Sequence, residues 1–105
     1  MDLTDEMLIE ISYVVISQYR KKVMKSLEGN VKIPTAIARD SGIRTNHISK
    51  VLGELKEHEL VECINPEVRK GRLYRLTKTG EGVVKNLEWW MYLLIIEFQS
   101  LQIFV

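Results

Sequence analysis

The chain has 105 residues, 46% of them hydrophobic and 28% charged, a balance that suits one globular domain and excludes wholesale disorder. Its formal net charge of +1 does not by itself predict a nucleic-acid partner, but the charges are segregated: residues 20–78 hold fourteen Lys and Arg against seven Asp and Glu, and the two flanks hold Lys85 against seven acids. A basic middle between acidic, apolar ends points to a polyanionic partner better than total charge does.

Thr4 is placed to cap a helix that opens with Asp5 and Glu6, acids that suit the positive end of a helix dipole. Ile11, Val15, Tyr19, Val23 and Leu27 then recur every four residues, with Leu8, Ile16 and Met24 beside them, so residues 5–28 read as an N-terminal helix or helices. The first half is apolar and the second basic, and a kink or break is expected at residues 17–19. Glu28-Gly29-Asn30 ends this segment, since glycine and asparagine tolerate the left-handed cap.

Residues 34–57 read as two short helices joined by a glycine turn. Pro34 fits a first helical turn, where its missing N–H costs nothing. Ala38, Gly42 and Ile48 have helix-turn-helix spacing: a small residue for close approach, a glycine for the turn, and a branched apolar residue to fill the crossing. Ile48, Val51, Leu52 and Leu55 form one apolar face of the second helix, while Thr45, Asn46, Ser49, Lys50 and Gly53 lie on the other. Those outer residues are small, polar or basic and leave room for another surface.

After Leu60 the period changes. Residues 61–64 and 73–76 are β-prone runs, and the segment between them ends in Arg69-Lys70-Gly71-Arg72. Residues 60–76 therefore read as a two-stranded wing with a basic loop. Thr77 caps a last helix, 78–105, whose early Gly80 and Gly82 weaken its first turn by about 1 kcal/mol each relative to alanine. In that helix Val84, Leu87, Met91, Leu94, Phe98, Leu101 and Val105 are spaced 3-4-3-4-3-4, a heptad seam. Trp89, Trp90, Leu93 and Ile96 lie outside the seam. A helix apolar on several sides needs cover on several sides, here the N-terminal helix and a second copy of the chain.

The order of these pieces, and above all GIRTNHISKVLGELKEHELVE and RKGRLYRLTKTG, resembles the winged helix-turn-helix transcriptional regulators, closest to small MarR- and ArsR-like proteins common in archaea. The resemblance covers residues 20–87 and implies a mainly α (α+β) fold with a two-stranded wing and long terminal helices forming a dimer interface. It implies a homodimer binding double-stranded DNA, with the second motif helix in the major groove and the wing on backbone or minor groove. By position it assigns DNA contacts to Arg44, Thr45, Asn46, His47, Ser49 and Lys50 on the recognition helix and to Arg69, Lys70 and Arg72 on the wing. Asn46 and Lys50 have the chemistry to pair with adenine and guanine edges, and Arg44, Thr45 and Ser49 suit phosphates. Two positions depart from the family pattern. Arg44 replaces the serine that often caps the recognition helix, leaving Arg44 and Thr45 as the cap candidates, and Glu59 replaces the usual glycine before the first wing strand.

Other chemistry is missing from the sequence. His47, His58 and Cys63 show no zinc-site spacing, and there is no nucleophile–base pair, phosphate-binding glycine loop or cofactor motif, so neither an enzyme nor a metal site is expected. With Cys63 as the lone cysteine no intrachain disulfide is possible, and a reducing, cytoplasmic setting is expected. No basic-then-apolar leader follows Met1. The apolar run 89–105 is interrupted by Glu97, Gln99, Ser100 and Gln102 and falls short of the ~20 residues of a membrane span. Trp89, Trp90 and Tyr92 could line an effector pocket, but aromatic residues at helical spacing are more often dimer core. The competing function is a protein–protein interaction module in a transcription or replication assembly.

Overall fold

The computed structural model describes residues 4–87. Its elements are α1 (Asp5–Val15), α2 (Gln18–Ser26), α3 (Pro34–Ser41), α4 (Thr45–Glu57), β1 (Val61–Cys63), β2 (Tyr74–Leu76) and a fifth helix, α5, over residues 78–87 of the described chain. The Thr4 hydroxyl accepts the Met7 N–H at 3.1 Å, as the opening residues predict. The expected break follows α1. Ser17 is extended (φ −125°, ψ 117°), and its hydroxyl accepts the Arg20 N–H, starting a new helix. That break takes the apolar row off a single face. Val14 is fully buried, whereas Ile16 is 79% and Tyr19 44% exposed.

α2, α3 and α4 enclose the core. Gly42 takes the left-handed conformation (φ 73°) that ends α3, with its N–H donated to Ala38 O at 2.9 Å. Ile43 then turns inward, and α4 buries Ile48, Val51, Leu52 and Leu55, the four positions its periodicity picked out. They pack with Ile11, Val14, Val23, Met24, Leu27 and Ile37.

The end of α4 sets the start of the wing. Leu60 N–H donates to Leu55 O and Glu59 N–H to Lys56 O, both at 2.9 Å, a paired closure that needs a left-handed residue at position 59. Glu59 has φ 57°, so this chain places a glutamate where the resembled family has glycine, at a cost of about 1 kcal/mol. β1 and β2 pair antiparallel in the register Val61↔Leu76, Glu62↔Arg75, Cys63↔Tyr74. Lys32 adds a one-residue bridge to Tyr74, their N–H and C=O groups exchanging bonds of 3.0 and 2.9 Å. A single paired residue has no periodicity, which is why the sequence did not show it.

Gly80 has a role its sequence context hid. A methyl group there would overlap the Leu60 carbonyl oxygen, whereas one at Gly82 would meet only the mobile end of Met7. The glycine lets α5 lie against the backbone where the recognition helix ends. Gly80→Ala is expected to cost about 3 kcal/mol through forced displacement of α5. Gly82→Ala should be neutral or stabilising by up to about 1 kcal/mol. Urea unfolding of both variants checks this contrast.

Candidate nucleic-acid interface

Because α4 buries Ile48, Val51, Leu52 and Leu55, its opposite face is turned outward. Arg44, Thr45, Asn46, His47, Ser49, Lys50 and Gly53 are all exposed. Of the two cap candidates, Arg44 and Thr45, Arg44 is the cap residue (φ −62°, ψ 143°), with no side-chain cap hydrogen bond. Thr45 is therefore the first helical residue, with its hydroxyl outside the cap. Side-chain volume is low in the middle of the face, at Ser49 and Gly53, so another surface can approach closely there. His47 lies at one margin, its ring 5.5 Å from that of Tyr19 on α2.

The wing is held by one asparagine. Asn65 Oδ1 accepts the Leu73 N–H at 2.7 Å, and Asn65 Nδ2 donates to Gly71 O at 3.2 Å, closing the loop across its base. Gly71 (φ 75°) makes the return turn. The three basic wing residues differ in role. Arg72 Nε donates to Val68 O at 2.8 Å, so part of its guanidinium braces the loop, although the residue is exposed like Arg69 and Lys70.

A brace unseen in the sequence fixes the tilt of α4. Arg20 on α2 donates to Glu54 Oε2 on α4 at 2.7 Å and to Tyr13 O on α1 at 2.9 Å, and its guanidinium sits 3.8 Å above the Tyr13 ring. The other face of the stack is His58, with ring centroids 3.6 Å apart and planes at 12°, and His58 Nδ1 lies 3.0 Å from Glu10 Oε2. Burial pushes the Tyr13 phenol above its ordinary value, with the Arg20 charge pulling the other way. Among the described residues, Arg20 Nε is the one buried side-chain polar atom without a hydrogen-bond partner. Near the sheet, Lys32 Nζ pairs with Asp40 Oδ2 at 2.8 Å, tying the bridge residue to the end of α3.

Of the predicted seam, Val84 and Leu87 are 1% exposed and belong to the chain's own core beside Val83. Met91, Leu94, Phe98, Leu101 and Val105 lie outside the described residues, as do Trp89, Trp90 and Tyr92. No described helix is long and apolar enough to cross a membrane.

No family model matches the sequence, and no curated protein matches it. Solved structures do match in fold. ZitR of Lactococcus lactis, in a double-mutant form, superposes with a TM-score of 0.65 at 20% identity, over 81% of this chain and 59% of ZitR. A MarR family transcription regulator gives a TM-score of 0.68 at 16% identity, over 88% of this chain and 65% of its own. The chain thus spans less than two thirds of the length of those two proteins. The homodimeric winged helix-turn-helix DNA-binding domain of a possible ArsR-family regulator from Mycobacterium bovis gives 0.62 at 20% identity, over 93% of both chains. The fold is therefore the mainly α winged helix-turn-helix, shared with MarR- and ArsR-family regulators as the sequence motifs imply.

The Lys32–Asp40 pair makes a checkable pH prediction. Hydrogen bonds from Lys32, then from Arg39, hold the Asp40 carboxyl below its ordinary 3.8. A folded pKa below the unfolded one contributes stability that is present above the ordinary value and lost as pH falls through the folded one. Asp40→Asn should flatten the acid limb of the unfolding midpoint below about pH 4 and leave its shape unchanged near neutrality, as followed by circular dichroism.

Proposed function

We propose that this chain is a sequence-reading, duplex DNA-binding transcriptional regulator that acts as a homodimer and not as an enzyme. The observation that carries this reading is the outward face of α4, where every residue from Arg44 to Lys50 except the core residue Ile48 is exposed, small, polar or basic. Asn46 and Lys50 would read base edges in the major groove. Arg44, Thr45 and Ser49 would bind phosphates, and His47 would lie at the margin of the groove. Arg69 and Lys70 would reach the backbone or minor groove from the wing tip, with Arg72 shaping the loop that carries them. Of the exposed large apolar residues, Ile9, Ile16, Tyr19, Val31, Ile33 and Ile64, none belongs to α4, and Tyr19 meets it at its margin beside His47, so the helix's outer surface does not resemble a protein-docking site.

Selection of bound sequences from random duplexes, followed by affinity measurement over a salt series, tests the reading. Asn46→Ala should weaken binding to the selected site by about 1–3 kcal/mol and relax preference at one position. Arg69→Ala with Lys70→Ala should weaken all sequences alike and lower the salt slope by about 2. Salt-insensitive binding, or no enrichment of any sequence, would contradict the proposal.

The homodimer would use the seam of the last helix beyond Leu87, because Val84 and Leu87 already serve the subunit core. Two such motifs would meet major grooves about 34 Å apart. Leu94→Glu with Leu101→Glu is expected to give a monomer in sedimentation equilibrium. A persistent dimer would remove the seam from the interface.

A further inference from the structure

The flank of α4 that carries His47 and Glu54 packs on α2, through the Tyr19–His47 ring contact and the Arg20–Glu54 ion pair. α2 holds no acid in its nine residues and carries four basic ones. The Arg20 charge is directed inward to Glu54, whereas Tyr19 and Lys22, one helical turn apart, are exposed. Tyr19 is 44% exposed even with its ring against His47.

A recognition helix with its side chains is about 10–12 Å across and the major groove about 12 Å wide, so a seated helix fills the groove from wall to wall. An element packed on the helix's flank then faces the phosphate wall, not the bases. A phenol O–H and an ammonium are donors suited to phosphate oxygens. We propose that Tyr19 and Lys22 form a second phosphate-contact point on α2, and that the Tyr19 ring fixes the His47 imidazole at the margin of the recognition face. This inference rests on the DNA-binding reading above. It gives His47 a neighbour-set orientation in place of an independent base contact and widens the footprint beyond the motif helix and wing.

The test uses the full chain and a fluorescent 30-base-pair duplex of mixed sequence, with binding measured by anisotropy over a potassium chloride series. Lys22→Ala is expected to lower the salt slope by about 1, as loss of one phosphate contact requires. Tyr19→Phe, which keeps the ring against His47, should weaken binding about threefold to tenfold through the lost hydroxyl bond. Tyr19→Ala and His47→Ala should be less than additive when combined, because each removes the same ring contact. Thermal melts of Lys22→Ala and Tyr19→Phe should match the native chain, which keeps the test independent of folding. An unchanged salt slope in Lys22→Ala and unchanged affinity in Tyr19→Phe, with Lys70→Ala still weakening binding, would overturn the second contact point and leave the DNA-binding reading standing. Salt-insensitive binding by the native chain would overturn both.

Discussion

The backbone around Leu60 is the point on which the arrangement depends. Its N–H closes the end of α4 on Leu55 O, its carbonyl accepts the Thr77 N–H, and its side chain is fully buried. Gly80 rests directly against that carbonyl, and Thr77 Oγ1 donates to Glu59 O while accepting the Gly80 N–H. Three elements are thereby referenced to one residue: the recognition helix that ends there, the wing that starts there and α5 that returns to it. The angle between helix and wing is set by backbone hydrogen bonds, which leaves the side chains of both free to face outward.

The second constraint is how α4 is held along its length. Its apolar face is locked by burial, and its α2-facing flank by Arg20, whose guanidinium joins Tyr13, Glu54 and the α1 backbone. Charge-assisted hydrogen bonds of this kind are worth about 1.5–3 kcal/mol each, more than a neutral pair. The brace lets a basic residue near the recognition face stabilise the fold while its neighbours Tyr19 and Lys22 remain exposed. In the wing, Arg72 likewise braces the loop through Val68 O, while it, Arg69 and Lys70 are all exposed.

Periodic features were legible in the sequence and solitary ones were not. The buried face of α4, the Gly42 turn, the wing strands and the break near Ser17 all follow from repeats of two or three to four residues, or from turn chemistry. The Lys32 bridge is one residue long, and the Tyr13–His58 stack joins residues far apart in sequence, so neither leaves a local pattern. Gly80 read as a weak helix start because its reason, the Leu60 carbonyl, lies on another element. The outward, polar setting of the candidate contacts was legible. The bond from Arg72 to Val68 O, and the place of His47 beside Tyr19, depend on side-chain geometry that spacing does not encode.

The central claim is that α4's outward face and the wing tip form one DNA-contact surface. Amide chemical-shift mapping of the nitrogen-15-labelled chain, titrated with a short duplex at low salt, tests it most directly. The account predicts shifts concentrated at Thr45, Asn46, Ser49, Lys50 and Gly53 and at Arg69 to Gly71, with the core amides of Val51 and Leu55 little changed. Shifts absent from α4 and the wing, or confined to the apolar residues Ile33 and Ile64, would contradict it.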